Sequence, residues 1–198
     1  MHNKPSTPST ASADLTPAAG KPRQLPQLLQ VGGFVLVFLV LQTAWAKASG
    51  TWLEALVIGD MTVWPAAVWI GLLTPDIGAQ AVGYSIKAPG GGMNIINGCE
   101  GLDVLFLLFA AFVVYPAVWY RWVGALATGI VAVWVLNQVR VVVLFYASRH
   151  DKELFALLHG TVAPLVLIAL VVIFFAAFVS WSARRSRQAS LEPQAAPA

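Results

Sequence analysis

Residues 154–181 read LFALLHGTVAPLVLIALVVIFFAAFVSW, and no aspartate, glutamate, lysine or arginine interrupts them. A helix of about 20 apolar residues crosses the roughly 30 Å hydrocarbon core of a bilayer, so this stretch predicts a transmembrane helix. Arg184, Arg185 and Arg187 follow at once and read as anchors at one membrane face. Working back along the chain, Trp122 to Ala147, Leu102 to Tyr120 and Leu28 to Ala46 predict three more spans by the same criterion. The composition agrees: of 198 residues 58% are hydrophobic and 11% charged, too few polar groups to cover a soluble domain of that size. The fold class expected is an all-α integral membrane protein, a helical bundle of about four transmembrane helices.

The segments between the spans are less regular. Glu54, Asp60 and Pro65 interrupt residues 51–73, where only Met61 to Pro75 is free of charge, so a helix lying in the interface is expected rather than a span. Val82, Tyr84 and Ile86 then alternate with small or polar residues, Ala88-Pro89-Gly90-Gly91-Gly92 follows, and Met93 to Asn97 completes the pattern of a small extracytoplasmic β-hairpin. The glycines are not a phosphate cradle, because no Lys-Ser or Gly-x-x-Gly helix start follows them. Tyr120-Arg121-Trp122 is read as the tight turn of a helical hairpin. Ala44-Trp45-Ala46 resembles a signal-peptide cleavage site, but the long, weakly basic region before it favours an uncleaved anchor. Residues 1–27 and 182–198 have the composition of disordered tails, cytoplasmic in this reading, around one membrane-embedded domain, 28–181.

Charge sets the expected orientation. With four spans, Lys4, Lys21, Arg23, Arg121, Arg184, Arg185 and Arg187 gather on one side, leaving only Lys47, Lys87, Arg149 and Lys152 on the other. The positive-inside bias then makes both termini cytoplasmic in a multi-pass protein of the cell's inner membrane. The net charge of +3 is thus carried by membrane-flanking anchors and does not indicate nucleic acid. One cysteine excludes an internal disulfide and a Cys-x-x-Cys redox or zinc pair, and neither a metal nor a cofactor is expected.

Three residues depart from this apolar background. Cys99, in Asn97-Gly98-Cys99-Glu100-Gly101, stands where a loop enters a span, and a thiol at a helix N-terminus is favoured as thiolate by the macrodipole. Arg140 lies seven residues before the outer end of its span, about 10 Å deep at 1.5 Å per residue, where an arginine is costly without a partner or a task. Asn137 shares its face and is placed to hold the guanidinium. His159 lies five residues into the last span at a similar depth, beside Gly160. Thiol, imidazole and guanidinium from three helices supply a nucleophile, a general acid/base and an oxyanion or substrate-positioning cation for acyl transfer. A lone thiol is otherwise a small hydrophobe, a lone histidine a helix-packing residue, and an arginine near a membrane face a snorkelling one. Glu100 and Asp103 read as solvated acids at a helix start, with orientation of His159 or binding of a cationic substrate as the alternative; His150 reads as solvated.

Asn-Gly-Cys-Glu-Gly before a span, Asn137-Gln138-Val139-Arg140 late in the next, and a histidine early in the one after are similar to the exosortase and archaeosortase family of membrane transpeptidases. The order and spacing match over about residues 60 to 165, and the extended stretch with Gly83, Ile86 and Met93 to Ile96 resembles that family's loop. The resemblance implies a cysteine protease and transpeptidase that cleaves a C-terminal sorting signal of a secreted protein at the outer membrane face. That signal is a short motif, a transmembrane helix and a basic cluster, and the acyl group passes to an acceptor. Cys99 would be the nucleophile, His159 the general acid/base and Arg140 the oxyanion or substrate-positioning residue, with Asn137 and Glu100 in support. Glu100 departs from the family's usual small residue, and the short chain implies a compact subtype. The competing classes are a non-catalytic membrane assembly or transport subunit, a membrane acyltransferase, and a palmitoylated scaffold whose thiol would face the cytoplasm.

Overall fold

The computed structural model describes residues 27–95, 98–115 and 119–191. Helix α1 spans Gln27–Lys47, α2 Trp52–Leu73, α3 Leu102–Val114, α4 Trp119–His150 and α5 Lys152–Gln188. Between α2 and α3 a short helical turn, Pro75–Ile77, leads into an antiparallel meander of β1 Gln80–Val82, β2 Ser85–Ala88 and β3 Gly91–Asn94. Helices α1, α2, α4 and α5 are each long and apolar enough to cross a membrane, and α3, of 13 residues, is a shorter apolar helix. Val166, Val172 and Ile173 of α5 point outward where a soluble protein would show polar groups. The chain is an all-α, multi-pass membrane protein carrying one small sheet.

Several boundaries differ from the expectation. The span expected to reach Tyr120 ends at Val114, with Tyr115 already extended (φ −89°, ψ 119°). Tyr115 precedes Pro116, whose ring disfavours helical backbone in the residue before it. Tyr120, Arg121 and Trp122, expected as the hairpin turn, lie inside α4, and the link from α3 to α4 falls at 116–118, outside the described residues. Helix α5 continues beyond Trp181 through Gln188; of the two expected tails, residues 1–26 and 192–198 lie outside the described residues. The hairpin is a three-stranded sheet, because Gly83-Tyr84 makes a further turn and Gly91 and Gly92 belong to β3; Ile96 and Asn97 are outside the described residues.

Helix α2 is long enough to span, and its hydrogen bonds to α4 run from the middle of that helix, at Trp134, toward its C-terminal end. Its Met61 carbonyl accepts from Trp134 Nε1 at 2.8 Å and Gln138 Nε2 at 3.1 Å, and Thr74, just past its end, shares a 2.7 Å hydrogen bond with Tyr146. At its start, Glu54 accepts from the Gly50 amide at 2.7 Å and the Ser49 hydroxyl at 3.2 Å. Prolines shape α2 and α5 in the same way. Pro65 and Pro164 have no N–H to return to the carbonyl four residues back and crowd it with the ring, and each follows a π-helical turn, Ala55–Val63 and Leu158–Val162, that makes room.

Two apolar cores result. Near the sheet, Ile86 and Met93, paired across β2 and β3, bury one face of the sheet against Ile58, Val63, Ile70, Val141 and Phe145. At the other end Phe112 packs edge-on to Phe175 at 5.3 Å, beside Phe178 and Leu108. Gly129 lets α4 come close to its neighbours there, since a Cβ would lie 2.5 Å from Leu108 Cδ2 and 3.0 Å from Phe174 Cε1.

Candidate active site

The sheet feeds the segment that carries the thiol. The Ile95 amide donates to the Tyr84 carbonyl at 2.8 Å, which ends the sheet, and the chain then reaches Gly98 and Cys99. Gly98 (φ +99°) and Gly101 (φ +79°) adopt backbone that side chains rarely tolerate. Gly101 is doubly required, because a Cβ would sit 2.9 Å from Asn137 Cγ.

Helix α4 holds this loop from one side. Asn137 Nδ2 donates to the Cys99 carbonyl at 3.1 Å, and Arg140 Nη1 donates to the Gly98 carbonyl at 3.3 Å. Asn137 therefore grips the loop rather than the guanidinium it was expected to hold. Arg140 is 9% exposed, and its Nε has no protein partner among the described residues. A buried donor left open in this way is unusual in a folded protein.

Helix α1 holds the loop from the other side, through contacts that the sequence did not reveal. Trp45 Nε1 donates to Glu100 Oε1 at 2.8 Å, the Gly98 amide donates to Glu100 Oε2 at 2.6 Å, and Gln42 Nε2 donates to Asp103 at 2.8 Å. Glu100, expected as a solvated acid, is only 7% exposed and acts as a clamp between the first helix and the loop. A buried carboxylate needs such donors to offset its lost hydration.

Helix α5 brings the imidazole. Cys99 Sγ lies 3.4 Å from His159 Nδ1 and 4.0 Å from Nε2, although the two residues are 60 positions apart. Phe155, one turn earlier, stacks on the His159 ring at 5.4 Å and 9° and fixes its plane. His150 is exposed at the end of α4, away from this set. Among the described residues no group of histidine, cysteine and carboxylate side chains is arranged to hold a metal ion.

The thiol itself differs from expectation. Cys99 stands three residues ahead of α3 and is buried, so the helix macrodipole is not its dominant surrounding. Burial pushes the Cys99 thiol above its ordinary range, Arg140 pulls it part of the way back, and Glu100 adds a smaller push upward. A thiol pushed in this direction needs a base beside it before it can attack. The arrangement as a whole places a thiol, an imidazole and an underused guanidinium within one small region.

A model of the transmembrane exosortase family (Exosortase_EpsH) matches residues 22–176. No curated protein and no solved structure matches the chain.

Proposed function

We propose, from the premise that the chain belongs to the transmembrane exosortase family, that it is a cysteine peptidase and transpeptidase acting on the C-terminal sorting signals of secreted proteins. The observation that carries this reading is the 3.4 Å approach of Cys99 Sγ to His159 Nδ1. His159 takes the thiol proton, the thiolate adds to the scissile carbonyl, and the resulting oxyanion faces Arg140, whose Nε is available as donor. Collapse of the tetrahedral intermediate breaks the C–N bond, the imidazolium returns the proton to the leaving amine, and a thioester remains on Cys99. An acceptor nucleophile then attacks the thioester, gives its proton to His159, and the thiol is restored as the acyl group departs. Asn137 and Glu100 are positioning residues, since they bond to the loop's backbone and not to the reacting atoms.

The same reading puts the site at the outer face of the inner membrane. Arg121, Arg184, Arg185 and Arg187 cluster at the end of α4 and α5 opposite Cys99, which the positive-inside bias assigns to the cytoplasm. A substrate anchored by its own transmembrane helix, with its basic cluster also cytoplasmic, would present its cleavage point at the depth of Cys99. The test is Cys99→Ser, expressed at wild-type level, with C-terminal processing of candidate secreted proteins followed by mass spectrometry. Processing should fall to background, with uncleaved precursor accumulating; normal processing would remove the enzyme reading and leave a structural subunit.

A further inference from the structure

The end of the bundle opposite Cys99 holds a second feature, independent of the proposed chemistry. Beyond the close approach at Gly129, the small residues Gly124 and Ala125 of α4 and Ala177 of α5 leave a cleft of about 640 Å³ between the two helices. Phe174 and Phe178 line its apolar part, while Arg121 and Arg185 stand at its mouth. Both guanidinium groups lie over the same indole: Arg121 Cζ is 5.8 Å and Arg185 Cζ 5.5 Å from the Trp181 ring, and Arg121 also lies 5.7 Å from the Tyr120 ring. Among the described residues no aspartate or glutamate lines the cleft, and neither arginine has an ion pair or a hydrogen bond. Arginines that merely snorkel would extend separately into the headgroups. Here two cations stand against one indole at the mouth of one cleft, with no carboxylate beside them among the described residues, an arrangement that attracts an anion.

We infer that the α4–α5 cleft is a binding site for one anionic phospholipid, with its phosphate between Arg121 and Arg185 and an acyl chain along Gly124, Ala177 and Phe174. The apolar part of the cleft selects an amphiphile over a free phosphate, which would leave it empty. The pair of arginines selects an anionic headgroup over a zwitterionic one, whose own cation they repel. The cationic tail of a sorting signal is repelled for the same reason.

The full-length chain in neutral detergent can be tested by native mass spectrometry with dioleoyl phosphatidylglycerol and dioleoyl phosphatidylcholine at equal concentration. The wild type should retain the glycerol lipid over the choline lipid by roughly thirtyfold, the scale expected for two basic residues at an anionic surface. Arg121→Gln with Arg185→Gln should bring the two lipids to parity, and Ala177→Trp, which keeps both arginines, should lower retention of both by filling the cleft. Equal retention by the wild type, a measurement that needs no variant, would overturn the inference. So would a preference that survives the double substitution, or displacement of the lipid by millimolar inorganic phosphate, which would mark a free-anion site.

Discussion

The π-helical turn Ala55–Val63 of α2 and the turn Leu158–Val162 of α5 arise from one sequence device and meet different surroundings. In each, a proline follows one residue later, and the residue before it bonds to the carbonyl five positions back: Trp64 to Gly59, Ala163 to Leu158. The first turn is packed on both sides. Ile58, Thr62 and Val63 are buried, and the Met61 carbonyl that Pro65 cannot serve is taken up by Trp134 and Gln138. The second turn has no buried residue, and no side chain donates to the equivalent Gly160 carbonyl among the described residues. What it carries is His159, stacked on Phe155 and turned to Cys99. A widened turn therefore locks a helix where its neighbours close around it, and presents a side chain where they do not.

The sharpest way to break this contrast is to remove what the second turn presents. On the proposed mechanism His159→Ala should lower processing at neutral pH by about 10²- to 10⁴-fold, the usual share of a general base, with the thermal unfolding midpoint unchanged. The pH dependence follows from the raised thiol: with no base, activity depends on thiolate formed unaided, so the variant's rate should keep climbing above the ordinary thiol range. A variant whose rate is flat from neutral to alkaline pH would show that His159 does not serve the thiol. Pro164→Ala tests the turn itself. With an N–H restored at 164, the segment can relax to an ordinary α-helical register, swinging His159 around the axis, and processing should fall by roughly tenfold while the protein unfolds no earlier. The smallest effect on activity belongs to the first turn. Trp134→Phe with Gln138→Leu strips the donors from the Met61 carbonyl and should cost about 1–3 kcal/mol of stability, read as a lower unfolding midpoint, while activity per folded molecule is retained. If that pair of substitutions impairs catalysis without affecting stability, the two turns are not divided in the way described.

Much of this was legible in the sequence for a simple reason: lipid demands long apolar helices, and polar groups stand out against them. The four long uninterrupted stretches marked the helices, and Cys99, Arg140 and His159 were conspicuous by type. Helix α2 was the hard case, because Asp60 and Pro65 break its apolar run, and a sequence does not show that a lone backbone carbonyl is met by Trp134 and Gln138. The role of Trp45 is not legible in the sequence, because a tryptophan at a span's end looks like any headgroup aromatic. Glu100 reads as solvated on similar grounds, since an acid at a helix start already has an electrostatic reason to be there. Phe155 was within reach: four residues before His159 on a helix, it had to lie on the same face.

The bond from Trp45 to Glu100 also bears on the order in which the molecule is made. Trp45 leaves the ribosome well before Glu100, and until the first and third helices meet in the bilayer the carboxylate has neither the indole nor a settled Gly98 amide to replace water. An undocked Glu100 would hold its segment at the aqueous surface, and with it Cys99. Closure of the loop over the thiol thus waits on the docking of the third helix against the first, and a nascent chain carries its nucleophile unshielded until then.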